Sequence, residues 1–199
     1  MRKRVVFNRS PRTFRGIAQS GSASGLGPEG REFESLCPDH LNYSVESRIS
    51  NQYRTMKAQS KSIILSSEQD SLIFARDIGQ NLGANDIVTF SGDLGSGKTF
   101  ICREIIKTLC GNDTQVTSPT FNLLQIYTTS KFTIYHFDLY RLKYLDEIYE
   151  LGIEDALLGN ICLIEWPEII ETILPKPRTR IVLEILENTK RLCQLDYQA

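Results

Sequence analysis

The sequence is marked first by features that it lacks. Its 199 residues contain no apolar run near the roughly 18 residues that a membrane-spanning helix needs, so we expect no membrane contact. Its five cysteines are scattered and never spaced as C-x-x-C, which argues against a zinc site or a disulfide framework and fits a reducing cytoplasm. No apolar core follows the basic start of the chain, so we expect no secretory signal.

Charged residues are divided unevenly along the chain. Residues 1–55 carry a net charge of +4, whereas residues 56–199 carry a net charge of −5. An acidic body repels the phosphate backbone of nucleic acids, so we expect no tight, direct binding to RNA. Any role connected with RNA would therefore run through a protein partner.

The same boundary separates two kinds of sequence. Residues 1–55 are rich in Ser, Gly and Arg and lack periodic apolar positions, which predicts a disordered arm. The run Gly30–Ser35 is what a reading frame gives across a sequence that resembles the T-arm of a transfer-RNA gene, which favours a second interpretation, an over-extended gene start. In the second case the true start lies near Met56. Residues 56–199 have the patterning of one globular domain.

The most informative segment is a full match to the phosphate-loop pattern G-x-x-x-x-G-K-[ST]. The run Asp86–Ser91 precedes it and predicts a buried strand, and Phe100–Leu109 follows with the apolar spacing of a helix. In such a loop backbone N–H groups face phosphate, a lysine supplies a point charge and a hydroxyl binds Mg²⁺. Since the sequence has no N-K-x-D guanine signature, the expected ligand is ATP with Mg²⁺. The predicted binding residues are Gly92, Asp93, Leu94, Gly95, Ser96, Gly97, Lys98, Thr99 and Phe100.

Apolar periodicity predicts the elements around this loop. Ser62–Leu65 predicts a strand, and Ser67 followed by Asp70 resembles a capping box before a helix. Two pairs of strand-like runs, within 121–138 and 180–196, are joined by short polar turns and predict hairpins. The acidic segment Tyr144–Leu158 predicts a helix or a helix pair, and Asn160–Glu165 predicts a further buried strand. The predicted fold class is α/β, a P-loop NTPase-like three-layer fold whose mixed sheet contains antiparallel hairpins.

Two acidic residues, Asp138 and Glu165, close predicted strands. Ligands of open α/β sheets lie outside the carboxyl ends of the strands, so both acids are placed to converge on a metal beside Thr99. Either acid could be the direct Mg²⁺ ligand and the other the base that positions water. The alternative for Asp138 is a hydrogen bond to the turn that follows it.

Three further features each allow two interpretations. Thr117–Phe121 holds three hydroxyls around a proline and is either a loop over the terminal phosphate or a surface turn. Trp166, the only tryptophan, either stacks on a ligand or partner or packs at a strand end. His136 alternates within a strand, which favours a structural hydrogen-bonding role over catalysis.

Four more segments follow the phosphate loop in a specific order: TSPTF at 117–121, YHFDLYRL at 135–142, ELGIEDAL at 150–157 and IEWPE at 164–168. Together with GDLGSGKT they resemble the TsaE (YjeE) family, bacterial P-loop ATPases required for the threonylcarbamoyl-adenosine modification of tRNA. The resemblance runs from about Ser62 to the C-terminus. It implies a cytoplasmic ATPase, slow alone and stimulated by partners, that cycles a TsaB–TsaD-type transferase complex and meets tRNA only through it.

The resemblance also implies roles for individual residues. Lys98 and Thr99 would hold phosphate and Mg²⁺, Glu165 would be the second metal ligand, and Asp138 would be the acid needed for hydrolysis. Phe100 stands where the family usually has Thr or Ser, and we expect little loss because Thr99 is kept. Other residues expected near the nucleotide are Ser67, Ser118, Thr120, Trp166 and Arg191.

Two other functions compete with this interpretation. A small-molecule kinase also pairs a phosphate loop with a domain of this size, but it needs an Arg-rich lid, whereas Arg178, Arg180 and Arg191 are spread along the last hairpin. A nucleotide-gated adaptor would bind ATP without significant turnover. The two acids at strand ends favour turnover over this adaptor.

Overall fold

A seven-stranded mixed sheet organises the residues that the computed structural model describes, which are 60–187 and 190–199. The expectations for residues 1–55, and for the turn at Asn188 and Thr189, lie outside the described residues. So does the predicted boundary between residues 55 and 56.

The strands and helices follow the predicted order. The strands are β1 (Lys61–Leu65), β2 (Ile87–Ser91), β3 (Leu124–Thr128), β4 (Thr133–Asp138), β5 (Ile161–Glu165), β6 (Arg178–Glu187) and β7 (Lys190–Gln198). The α-helices are α1 (Glu68–Asn81), α2 (Lys98–Cys110), α3 (Glu147–Glu150) and α4 (Ile153–Ala156), and a 3-10 helix spans Pro167–Ile170.

The strand order in the sheet is β1-β7-β6-β2-β5-β4-β3. The four central strands β6, β2, β5 and β4 pair in parallel, whereas β3 with β4, β6 with β7 and β1 with β7 pair antiparallel. Both predicted hairpins therefore exist, one on each side of a parallel centre. The predicted mixed sheet is confirmed.

Each face of the sheet is covered by a different apolar cluster, which gives three layers. On strand β5, Leu163 packs with the residues of α1 and α2, whereas Cys162 and Ile164 pack on the other face with α3, α4 and the 3-10 helix. This alternation is the two-residue period of a strand with both faces buried. Within the described residues, no helix has both the length and the hydropathy that crossing a bilayer requires.

The same alternation directs polar residues of β4 and β5 toward α2. Ile134 of β4 and Leu163 of β5 face the α2 side. Every second residue of a strand lies on the same face, so His136, Asp138 and Glu165 lie on that side too. Asp138 pairs directly with Glu165 across the two parallel strands. The two acids predicted to converge are therefore neighbours at the carboxyl edge of the sheet.

The first helix begins with the predicted cap. The Ser67 hydroxyl accepts a hydrogen bond from the Asp70 amide at 3.1 Å, and the Asp70 carboxylate accepts one from the Ser66 amide at 2.9 Å. The carboxylate thus bonds one residue earlier than a standard capping box does. The helix α1 ends at Asn81, one residue before its C-cap Leu82.

One strand boundary differs from the sequence prediction, and one open alternative, a helix or a helix pair within Tyr144–Leu158, is decided. The strand predicted to begin at Phe121 begins at Leu124, because the Leu123 amide bonds the Pro119 carbonyl at 2.6 Å and closes a turn. Phe121 is 83% exposed as a result. The segment Tyr144–Leu158 forms a helix pair around Gly152, whose φ of 74° ends the first helical segment.

Burial protects three of the cysteine thiols from alkylation. Burial raises the pKa of Cys162 and of Cys193 to about 12, and it raises the pKa of Cys102 well above its usual value. Because the thiolate is the reactive form, a thiol of pKa 12 is reactive in on the order of one molecule in 10⁴ at pH 8.

We expect iodoacetamide at pH 8 to label Cys110 first among the described cysteines, because it is only partly buried. The slower reaction of Cys162 and Cys193 should accelerate about tenfold per pH unit, since their pKa values lie above the working range. Peptide mass spectrometry of the native protein measures the order. Equal labelling rates at Cys110 and Cys162 would contradict the buried placement of β5.

Candidate functional site

The phosphate-loop sequence joins β2 to α2 and leaves the helix start open. Gly97 is the N-cap of α2, with a left-handed φ of 105°, and no side chain caps the helix there. By contrast, the start of α1 is closed by the Ser67 hydroxyl. The first-turn amides of α2 are therefore donors that a bound anion can satisfy.

Gly92 brings the loop against the sheet. A Cβ atom at this position would lie 2.1 Å from the Leu183 carbonyl oxygen of β6, and the φ of Gly92 is 131°. Both facts require glycine at the first position of the loop. The loop is thus positioned by the C-terminal hairpin as well as by β2.

Lys98 lies inside the loop with all three ammonium donors engaged. Its Nζ atom donates to the carbonyls of Gly92 at 2.6 Å and Asp93 at 2.8 Å, with a longer contact to the Ser96 hydroxyl at 3.4 Å. The Trp166 ring covers it, with the ring centroid 4.0 Å from Nζ. Burial lowers the pKa of Lys98, and the negative charges of Glu165 and Asp138 oppose that shift.

Glu165 bridges the start of α2 and strand β4. Its Oε2 atom accepts a hydrogen bond from the Thr99 hydroxyl at 2.7 Å, and its Oε1 atom lies 2.9 Å from Nε2 of His136. The residue is 1% exposed. A carboxylate buried this deeply needs partners for both oxygens, and these two contacts provide them.

Asp138 belongs to a separate set of contacts. Its Oδ2 atom accepts a hydrogen bond from the Thr120 hydroxyl at 2.6 Å, and Oδ1 accepts one from the Tyr140 amide at 3.2 Å. Thr120 in turn lies 2.8 Å from the Ser118 hydroxyl. The loop 117–121 is therefore attached to the carboxyl end of β4. Asp138 also accepts a hydrogen bond from the turn that follows it, which is the alternative that the sequence analysis gave for this residue.

Two cavities flank the phosphate loop. One, of about 210 Å³, is lined by Tyr140 and by most of the predicted residues, namely Leu94, Gly95, Gly97, Lys98, Thr99, Phe100, Thr120, Asp138, Glu165 and Trp166. The other, of about 230 Å³, is lined by Leu65, Glu68, Ser71, Ser96, Gly97, Phe100, Ile101, Leu183 and Arg191. Phe100 and Gly97 line both cavities and separate them.

The donor atoms in the first cavity fit a hard divalent cation beside a phosphate. The Thr99 hydroxyl, which donates its proton to Glu165, keeps its lone pairs for a cation, and the Glu165 and Asp138 carboxylates add further oxygens. Mg²⁺ takes such oxygen ligands together with substrate phosphates. The open start of α2 and the ammonium group of Lys98 fit the phosphates.

The remaining predicted residues lie at different distances from these cavities. Arg191 of β7 contacts the loop through the carbonyls of Ser96 at 3.2 Å and Gly95 at 3.4 Å. Ser118 reaches Asp138 only through Thr120, and the Ser67 hydroxyl serves as the cap of α1. The place of Ser67 near a nucleotide stays a prediction.

Two contacts of the site could not be assigned from the sequence. His136 bonds the carboxylate of Glu165, and Tyr140 packs on Trp166 with ring centroids 4.9 Å apart. The only sequence signal that placed His136 near the site was its spacing of two residues from Asp138, which puts both on the same face of β4. Trp166 has a left-handed φ of 57°, which turns its ring over Lys98 and which no sequence pattern indicated.

Comparison with protein families gives one match over most of the chain. The family model for the threonylcarbamoyl adenosine biosynthesis protein TsaE matches residues 65–193. This range contains the phosphate loop, both strand-end acids and Arg191.

Individual relatives agree with the family match. The TsaE protein of Rickettsia typhi is 58% identical over 131 residues, which are 66% of this chain and 91% of that protein. The TsaE protein of Treponema pallidum is 33% identical over 126 residues, or 63% of this chain and 92% of that one. The crystal structure of Bacillus subtilis YdiB has the same fold, with a TM-score of 0.57 at 24% identity over 71% of this chain and 87% of that chain.

The contact between the loop and β6 predicts a strong effect of one added methyl group. Gly92→Ala would force a Cβ atom against the Leu183 carbonyl at a φ that alanine disfavours, so we expect a loss of at least about 2 kcal/mol in the free energy of unfolding. Gly83→Ala is the matched control, because the nearest atom to its added Cβ is 4.0 Å away. Urea denaturation measures both, and equal stability of the two variants would contradict the close contact at Gly92.

Proposed function

The chain belongs to the TsaE family of threonylcarbamoyl adenosine biosynthesis proteins, and we propose that it binds and hydrolyses ATP with Mg²⁺ in that process. The proposal extends to the use of this nucleotide cycle to reset a TsaB–TsaD-type protein complex, through which the chain meets tRNA. The family membership supports the pathway, and the arrangement of side chains around the loop supports the chemistry.

One observation carries the proposal of Mg²⁺-dependent turnover: the hydrogen bond of 2.7 Å between the Thr99 hydroxyl and Oε2 of Glu165. It joins the hydroxyl of the phosphate-loop pattern to a buried acid of a distant strand, which are the two groups that P-loop enzymes use for their metal. Bound Mg²⁺ would supply charge neutralisation of the phosphate oxygens there. We therefore assign metal holding to Thr99 and Glu165.

The contacts of Asp138 support a different role for this second acid. Its bond to Thr120 attaches it to the loop 117–121, and both residues line the cavity beside Lys98. A carboxylate held at this point can accept a proton from water and orient that water toward the terminal phosphate. We assign the positioning of the attacking water to Asp138.

Lys98 is prepared for a phosphate that replaces its present partners. Its ammonium is desolvated and donates hydrogen bonds to two loop carbonyls. When the ammonium turns to phosphate, charged oxygens replace these neutral acceptors. Hydrogen bonds to charged acceptors are the stronger kind. The second cavity, floored by Leu65, Ile101 and Leu183, is the place that fits the apolar face of the base.

The exposed apolar side chains around the first cavity support a protein partner on this side. Leu94 is 74% exposed, Phe121 83% and Tyr140 54%, and all three lie on or next to segments that line the cavity. Apolar groups clustered around a charged site are typical of an interaction surface. A partner bound there would contact the loop 117–121 and change how Asp138 is held.

Loss of the negative charge at Glu165 should abolish most turnover. We expect Glu165→Gln to lower Mg²⁺-dependent ATP hydrolysis on the order of a hundredfold, because the amide cannot hold the cation as the carboxylate does. Glu154→Gln is the matched control, since it makes the same change at an exposed position on α4, and its rate should stay within about twofold. Phosphate release with and without a TsaB–TsaD-type complex measures both variants. Full activity of Glu165→Gln would remove Glu165 from the metal site.

Association with partners should depend on the nucleotide. We expect a TsaB–TsaD-type complex to copurify with the chain to a different extent with ATP than without nucleotide, and to raise its hydrolysis rate. Lys98→Ala should lose this nucleotide dependence, because its loop lacks the charge that holds phosphate. Size-exclusion chromatography of the mixed proteins measures the effect. No association in either condition would contradict the partner role and favour the small-molecule kinase.

A further inference from the structure

His136 is a buried polar residue that the proposed chemistry does not use. It lies on β4 with no exposed surface, and its Nε2 atom is 2.9 Å from Oε1 of Glu165. The other oxygen of that carboxylate accepts the hydrogen bond from Thr99. The two oxygens of Glu165 therefore have different partners on different elements.

The register of the sheet builds this contact. Asp138 is directly opposite Glu165, and His136 is opposite Leu163, so the His136 ring reaches Glu165 along the diagonal of two parallel strands on the α2 side. Diagonal neighbours on one face are within reach of a ring side chain. The contact is therefore fixed by backbone pairing and by the shared parity of the two residues.

The surroundings of the ring decide which nitrogen carries the proton. A carboxylate can only accept, so Nε2 must donate to Oε1. Nδ1 is buried and has no hydrogen-bond partner among the described residues, so a proton there would be left unsatisfied. The structure thus places a proton on Nε2, which donates it to Oε1 of Glu165.

Other groups around Glu165 would attract its carboxylate if the ring were absent. Lys98 and Glu165 line the same cavity. The negative charge of Glu165 acts to raise the pKa of Lys98, against the lowering by burial. Cys102 Sγ is within 4.8 Å of the ligand atoms of His136 and Glu165, and burial together with the charge of Glu165 raises the pKa of this thiol. The Cys102 thiol is therefore a neutral hydrogen-bonding partner of Glu165, and a thiol is a weaker donor than a ring N–H.

We propose that His136 is a positioning residue that anchors Oε1 of Glu165, so that Oε2 is kept for the Thr99 side where the metal would be held. This inference rests on the proposed function of the site. Without the ring, the carboxylate is free to turn toward Lys98, which takes the metal ligand away from the Thr99 hydroxyl. His136 contacts neither nucleotide nor water in this role.

Three variants separate positioning from simple stability. His136→Leu removes the donor but keeps an apolar side chain of similar reach, whereas His136→Gln places an amide nitrogen the same number of bonds from Cα as Nε2. Phe137→Leu is the matched control, because it alters a fully buried residue of the same strand that packs on the opposite face. Its effect on thermal stability is expected to match or exceed that of His136→Leu.

The first readout is the Mg²⁺ concentration that half-saturates ATP binding, followed by the emission of Trp166, the only tryptophan. We expect His136→Leu to raise this concentration about tenfold or more, as is typical when the partner of a metal ligand is removed. ATP affinity measured in EDTA should change less than about twofold. His136→Gln should recover most of the loss, and Phe137→Leu should show no shift.

The second readout is the tautomer of the ring, which does not depend on activity. The sequence has two histidines, His40 and His136, so a ¹⁵N spectrum of the histidine rings is assigned by comparison with His136→Gln. We expect a protonated Nε2 for His136, and a shift of the Nε2 proton in Glu165→Gln.

The outcomes distinguish this inference from the function on which it rests. A His136 ring without a proton on Nε2, or an unchanged Mg²⁺ requirement in His136→Leu while the unaltered protein shows Mg²⁺-dependent ATP binding, would overturn the positioning role alone. No Mg²⁺-dependent binding by the unaltered protein would overturn the proposed function and the positioning role together.

Discussion

The buried carboxylate of Glu165 is the constraint on which the rest of the site depends. An ionised group that is 1% exposed is tolerated only where hydrogen bonds replace its lost hydration. Here those bonds come from the first turn of α2 and from β4, so the acid can be accommodated only when β5 lies between β2 and β4 and when α2 starts at Lys98. The need to satisfy one side chain thus ties together three parallel strands and the helix that follows the phosphate loop.

The phosphate loop depends on the C-terminal hairpin in a similar way. Gly92 lies against the carbonyl of Leu183, and Arg191 reaches the carbonyls of Gly95 and Ser96. The loop therefore contacts β6 through Gly92 and β7 through Gly95 and Ser96, and both strands lie about 90 residues later in the chain. This explains why a hairpin without catalytic acids belongs to the site: it sets the position of the backbone that would face phosphate in the proposed function.

Much of this arrangement was predictable from the sequence, because each prediction depended on local patterns. The loop signature, the two-residue period of β5 and the acids that close β4 and β5 are all local, and the structure brings Thr99, Asp138 and Glu165 into one cavity. The strand order could not be predicted, since nothing in β1 or β7 alone states that they pair with each other. The exposure of Phe121 was missed because the turn that excludes it from β3 is closed by a proline carbonyl two residues before it.

Trp166 determines how the Lys98 ammonium is covered, although no sequence pattern indicated the backbone turn that places its ring there. Its amide continues the pairing of β5 with β2 by bonding the Phe90 carbonyl at 3.0 Å, yet its left-handed φ turns the chain sharply after the last strand residue. The ring then covers the ammonium of Lys98 and packs on Tyr140. The proposed function places two requirements on Lys98: the ammonium must be kept from water to interact strongly with phosphate, and it must be released from the loop carbonyls to reach it. A flat aromatic ring satisfies both, since it excludes water and attracts the cation without a directional bond that phosphate would have to replace.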